Sequence, residues 1–155
     1  MCIPTITESA MDHYTKERFQ SEESIGFFIN KARNLLIAEL DNALKDLEIT
    51  SQQMGILLSM QRGVATTPFE LSKFLGIDTG LMTRMLDKLE SKGLLERSRS
   101  LEDRRVVNLT LTKKGLEVAN QIPDIAPTVL NRRVESFTKE EFKEFGRLLK
   151  KFLEH

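Results

Sequence analysis

Four arginines crowd one short stretch of this chain. Arg97, Arg99, Arg104 and Arg105 surround a charged turn that also holds Glu102 and Asp103. A guanidinium is planar, permanently charged and presents its donors as a fork. A cluster of arginines rather than lysines therefore suits phosphate oxygens and the edges of bases. A second set lies just upstream: Thr79, Gly80, Thr83 and Arg84, with Lys88 one turn further on. Small polar residues and one arginine on the N-terminal half of a helix fit the floor of a major groove. Blander readings stand beside these. A charge run is commonly a solvated turn, and Arg84 could simply pair with Asp87 on the surface.

Other chemistries find no residues. The sequence holds no Ser/His/Asp set, no Cys/His pair and no glycine-rich phosphate loop, so an enzyme is not expected. His13 and His155 stand alone, and no metal or other cofactor is expected. Met54, Met60, Met82 and Met85 could line an adaptable pocket, but at helical spacing they read as core.

The two polar clusters need elements that aim them. Thr67-Pro68-Phe69-Glu70 reads as a capping box with proline at the first helical position, opening a helix that Gly76 ends. Its expected buried face is Leu71, Phe74 and Leu75. Asp78 then caps a second helix running to about Lys92. Met82, Met85, Leu86 and Leu89 recur at i, i+3, i+4 and i+7, which turns them inward and turns Thr79, Gly80, Thr83 and Arg84 outward. Leu81 could touch a thymine methyl or pack locally. After Gly93, the arms LLERS and RVVNLTL form a hairpin with the arginine cluster at its tip. Helix, turn, helix and basic hairpin is the plan of a winged helix-turn-helix, a reader of duplex DNA.

Flanking segments complete the chain. Residues 1–20 are expected to form an extended arm with a helical turn or two around Met11 to Phe19. Residues 21–48 read as one long amphipathic helix whose stripe includes Ile25, Phe28 and Ile29. Thr50-Ser51-Gln52-Gln53 is another capping box, opening a helix that stops at Gly63, and 64–66 is expected to add a very short strand. Thr112 caps a helix from Lys113, where Pro123 and Pro127 predict a break or kink near 122–127. Thr138 to Glu141 is a third capping box, opening a last helix with an apolar stripe through Phe145, Leu149 and Phe152. The stripes of the first and last helices exceed what one small domain can bury, which points to a dimer seam.

The 155-residue chain is 40% apolar and 30% charged, as a folded domain requires. No apolar run approaches the ~18 residues of a membrane span, so no membrane partner is expected. The start MCIPTITESAMDHY has no basic n-region or apolar h-region, so no secretory leader is expected. A single cysteine, Cys2, fits a reducing cytoplasm. Net charge is zero, yet residues 62–114 carry a net +4 and the remainder −4. The basic excess thus falls on the segment with the arginines. Zero overall charge keeps open an alternative, a winged-helix protein-interaction module that does not bind DNA.

The run DTGLMTRMLDKLESKGLLERSRSLEDRR, followed by LTLTKKG, resembles the MarR (multiple-antibiotic-resistance regulator) family of transcription factors, over about Ser21 to Leu153. The resemblance implies a mainly α fold with a small β-hairpin. Residues 49–112 would form the winged helix-turn-helix, with 21–48 and 113–155 as the helical dimerisation region. It implies a cytoplasmic homodimer on a pseudo-palindromic operator, commonly a repressor released by a small phenolic or other anionic ligand. By the same resemblance the 78–90 helix enters the major groove, Arg105 reaches the minor groove, and Asp103 holds the wing tip. Some relatives sense oxidants through a cysteine early in the first long helix, whereas Cys2 lies before it and reads as an inert terminal thiol.

Overall fold

The computed structural model describes residues 12–154, so Met11, Cys2, the first part of the arm and His155 lie outside the described residues. The chain divides into two compact units, residues 1–35 and 36–155, and the first helix, α1 (Ile25–Ala43), runs across their boundary.

In the first unit, Tyr14 stacks edge-on against Phe19 at 6.0 Å, and its hydroxyl accepts the Ile25 N–H at 2.8 Å. Between 12 and 20 the only regular feature is a turn at 16–18, not the helical turns expected there. Ser21–Glu23 form a separate 3-10 turn, and α1 starts four residues later than the sequence suggested. The reason is local. Ser24, in extended backbone, takes the capping role: its hydroxyl accepts the Phe27 N–H at 3.1 Å.

The second unit opens with the rest of α1. The expected helix to residue 48 ends instead at Ala43. A 3-10 turn over Lys45–Leu47 follows, and Glu48 adopts a left-handed conformation with φ 55°. The tightened turn places Leu44 and Ile49 in the core, and the Glu48 carbonyl accepts from Lys92 Nζ. Then come α2 (Ser51–Gln61), α3 (Pro68–Leu75) and α4 (Thr79–Ser91). An antiparallel hairpin follows, β1 (Leu95–Arg99) with β2 (Val107–Leu111), in the register Leu95↔Leu111, Arg97↔Leu109, Arg99↔Val107. The chain closes with α5 (Lys113–Arg133) and α6 (Lys139–Leu153). All three capping boxes form, at Thr50, Thr67 and Thr138. Residues 64–66 make no strand; one bond, Leu109 N–H to the Thr66 carbonyl at 2.8 Å, is all the ladder gains there.

The core gathers Ile56 and Leu57 of α2, Leu71 of α3, Met82, Leu86 and Leu89 of α4, Leu95 of β1 and Ile122 of α5, all fully buried. Each such side chain contributes about 1.5–3 kcal/mol by leaving water. Phe74, expected inside, is 59% exposed, because α3 is short and Leu71 with half-buried Leu75 already fills its inward face. The methionines behave as core: Met60, Met82 and Met85 are buried and half-buried Met54 packs against the core.

The expected break at 122–127 is absent, and α5 is continuous through both prolines. An interior proline costs a helix about 3 kcal/mol and disfavours helical backbone at its predecessor. Those predecessors are Ile122 and Ala126, which are buried together with Ala119 and Val129, while both prolines face outward. Packing of the inner face outweighs the local penalty. Arg133, near the end of α5, grips Glu39 of α1 with both ends of its guanidinium, and this hydrogen bonding holds the Glu39 carboxyl below the usual range.

Candidate nucleic-acid interface

The geometry of α4 follows from its two ends and its inner face. Asp78 Oδ1 accepts the N–H groups of Gly80 at 2.8 Å and Leu81 at 3.1 Å, fixing the first turn. Met82, Met85, Leu86 and Leu89 are buried, as their spacing predicts, and Leu81 is half-buried against the same core. The opposite face is thereby committed to solvent: Thr79, Gly80, Thr83, Arg84 and Lys88 are all exposed. Thr83 donates its hydroxyl proton to the Thr79 carbonyl at 2.9 Å, which leaves Oγ1 as an acceptor for an amino group on a base. Gly80 keeps the surface low beside Arg84. A Cβ there would stand 3.2 Å from Asp78 Oδ1 and 3.9 Å from Arg84 Nη1.

The preceding helix, α3, is fixed at its first turn by a capping box and at its last by a left-handed glycine. Thr67 accepts from Glu70 N–H at 3.2 Å, and the Glu70 carboxylate accepts from Thr66 N–H at 2.8 Å and Thr67 N–H at 3.1 Å. Those backbone donors, Thr66 first, keep the Glu70 carboxyl below the ordinary glutamate range. Gly76 adopts φ 63°, the left-handed conformation that ends α3 and reverses the chain into α4.

The hairpin tip is an ordered turn. The Ser100 N–H reaches the Val106 carbonyl at 2.9 Å, and the Val106 N–H reaches the Asp103 carbonyl at 2.9 Å. Asp103 Oδ1 accepts the Arg105 N–H at 3.0 Å, so this carboxylate shapes the backbone that carries Arg105. The base of the hairpin is anchored through Thr112, whose hydroxyl donates to the Gly93 carbonyl at 2.6 Å and accepts the Gly115 N–H at 3.0 Å. Gly115 itself must lack a side chain, because a Cβ would fall 1.8 Å from the Leu94 carbonyl oxygen.

The cations divide into two kinds. Among the described residues Arg84, Lys88, Arg99, Arg104 and Arg105 form no ion pair and are exposed. Arg97, grouped with them from sequence, instead places Nη2 2.7 Å from Asp87 Oδ1 and Nη1 2.5 Å from Glu90 Oε2 of α4. The sequence offers Asp87 as a partner for Arg84 rather than Arg97, and gives no role to Glu90 or Ser100. A usable signal existed for Asp87 and Glu90. Strand parity puts Arg97 on the same face of β1 as buried Leu95, towards α4, where Asp87 and Glu90 lie one turn apart.

The residues assigned to a dimer seam are largely uncovered. Ile25 and Phe28 on α1 are exposed and Ile29 is half-buried; on α6, Phe145, Leu149 and Phe152 are exposed. A recess of about 350 Å³ lies between the C-terminal part of α1 and α5, bordered by Glu39, Asn42, Ile125, Thr128, Val129 and Arg132. No helix among the described residues is long and apolar enough to cross a membrane.

Comparison with known proteins places this arrangement. The sequence model of the MarR family matches residues 49–107, which span α2 to the start of β2. The multiple antibiotic resistance protein MarR of Escherichia coli (strain K12) is 32% identical over 140 residues, covering 90% of this chain and 97% of that protein. The organic hydroperoxide resistance transcriptional regulator of Bacillus subtilis (strain 168) is 29% identical over 147 residues, 95% of each chain. A solved structure of a MarR variant from E. coli complexed with operator DNA superimposes with a TM-score of 0.76 at 33% identity, covering 83% of this chain and 92% of that one.

Proposed function

The chain belongs to the MarR family of transcriptional regulators, and on that premise we propose that it is a homodimeric repressor that reads a pseudo-palindromic operator. The observation that carries the reading is the paired exposure of two unneutralised cationic surfaces. One is the outer face of α4 and the other is the arginine tip held by Asp103. In this reading Thr79, Gly80, Thr83, Arg84 and Lys88 meet the major groove, and Arg105 enters the minor groove with Arg99 and Arg104 on flanking phosphates. A relative solved with operator DNA supports the DNA-reading role. Two recognition helices related by a twofold axis require half-sites about one helical turn apart.

A second copy of the chain covers the exposed apolar residues of α1 and α6. Pairing also answers the zero net charge, because two modest basic surfaces act on one duplex at once. A small phenolic or other anionic molecule as the releasing ligand rests on the family alone, because the recess beside Arg132 is also bordered by the Glu39 carboxylate, which opposes an anion there. The protein acts in the cytoplasm and is not an enzyme.

The test uses a duplex enriched from a random library by the full-length protein. Arg105→Ala and Arg84→Ala each weaken binding by about 1–3 kcal/mol, with the far-ultraviolet spectrum unchanged. Normal binding by both would remove the assigned contacts. Affinity that does not fall as salt rises would favour a protein-interaction module instead. Thermal shifts with phenolic acids, measured with and without the duplex, test the ligand: a releasing ligand stabilises the free protein and weakens the complex.

A further inference from the structure

Arg97 is chemically suited to phosphate, yet it is already spoken for. Its guanidinium forks onto two carboxylates of α4, Asp87 at 2.7 Å and Glu90 at 2.5 Å, and its side chain is only 25% exposed. The cluster of one cation and two acids carries a net negative charge. Turning Arg97 onto a phosphate would leave both acids unpaired beside that phosphate. The contact also joins the two parts of the interface. Asp87 and Glu90 flank the buried face of α4, and Arg97 sits mid-strand in β1, opposite Leu109. Beyond Arg97 the chain runs directly to Arg99 and the tip with Arg104 and Arg105.

We propose that Arg97, with Asp87 and Glu90, is a positioning device that fixes the angle of the wing on the recognition helix, so that both cationic surfaces meet a duplex together without Arg97 touching it. The inference rests on the DNA-reading role proposed above. Its physical basis is preorganisation: a wing already held in place loses less freedom on binding. The charge-assisted bridge, one guanidinium nitrogen to each carboxylate, is what makes a partly exposed ion pair capable of that.

The test turns on the sign of one effect. In Asp87→Asn/Glu90→Gln, two negative charges leave the neighbourhood of the duplex. If Arg97 were a phosphate ligand, the change would free it and tighten binding. As a positioning device, the acids are needed, and binding to the library-selected duplex weakens about tenfold, comparable to the loss in Arg97→Gln. The triple variant loses no more than either parent, because the three groups act as one unit. Binding to a random-sequence duplex is unchanged or slightly tighter. Tighter or unchanged binding of Asp87→Asn/Glu90→Gln to the selected duplex, with Arg97→Gln lowering the salt slope by about one, would overturn the proposal.

A DNA-free measurement separates this proposal from the DNA-reading role. Backbone amide order parameters at 98–106 fall in Asp87→Asn/Glu90→Gln and in Arg97→Gln but not in Arg99→Gln, in protein whose melting curve remains cooperative. Unchanged order in the wing would sink the positioning role even if DNA binding were intact. Loosened wings in a protein that selects no duplex would leave the positioning role standing and remove the DNA-reading role.

Discussion

Two helices of similar length, α4 and α6, carry apolar stripes and meet opposite fates. α4, 13 residues long, buries Met82, Met85, Leu86 and Leu89, while α6, 15 residues long, buries none of its apolar side chains. Phe142, Phe145, Leu148, Leu149 and Phe152 of α6 remain 37–57% exposed. Inside the chain, α6 finds Phe137, stacked edge-on against Phe145 at 5.6 Å, and little else among those side chains. The difference separates two kinds of information in an amphipathic pattern. On α4 the inward stripe is satisfied by the chain itself, so the outward face is the one available for recognition. On α6 the apolar stripe is itself the unsatisfied surface, and a second copy of the chain is the occupant that the family assignment supports.

The contrast can be broken at either helix. The largest effect belongs to α6: Leu149→Glu with Phe152→Glu yields folded monomers that bind the selected duplex at least about a hundredfold more weakly, since each copy then acts alone. Analytical ultracentrifugation checks this, and an intact dimer would contradict the seam. On α4, Leu86→Ala costs about 2–5 kcal/mol of folding stability in chemical denaturation, because a fully buried side chain leaves a cavity. Gly115→Ala costs about 1–3 kcal/mol or more, since the Leu94 carbonyl would have to move and the hairpin base with it. The smallest effect lies at the turn before α3. The Glu70 carboxyl is held below its ordinary value in the folded state, so its contribution is present at neutral pH and is lost as pH falls through that lowered value. Glu70→Gln therefore flattens the acid limb of stability against pH below the usual carboxylate range. An unaltered acid limb would show that the Thr66 and Thr67 contacts contribute nothing measurable.

Sequence made some of this legible and not the rest, for physical reasons. Helix starts were readable because capping is local: Thr50, Thr67, Asp78, Thr112 and Thr138 all cap as their neighbours predict. The inward face of α4 was readable because four apolar residues at helical spacing leave one solution. The first helix is shorter than its sequence suggests at both ends: Ser21 with acidic Glu22 and Glu23 mimics a helix start, and apolar periodicity runs on through the turn at 45–47. Periodicity does not distinguish a 3-10 turn at 45–47 from another turn of α-helix. The prolines of α5 misled in the other direction. Their penalty is local, whereas the burial of Ile122 and Ala126 that outweighs it is tertiary. Arg97 in the candidate interface is an intermediate case. Composition groups it with the other arginines, strand parity aims it at α4, and the fold then brings Asp87 and Glu90 within its reach.

In the proposed function α4 reads DNA while α6 makes the dimer that lets it do so. Native mass spectrometry of the full-length protein with the selected duplex tests it most directly. Dimers are expected in the free protein and two chains on one duplex, with a site whose half-sites lie about one helical turn apart. A monomeric free protein that places a single chain on the duplex would contradict it.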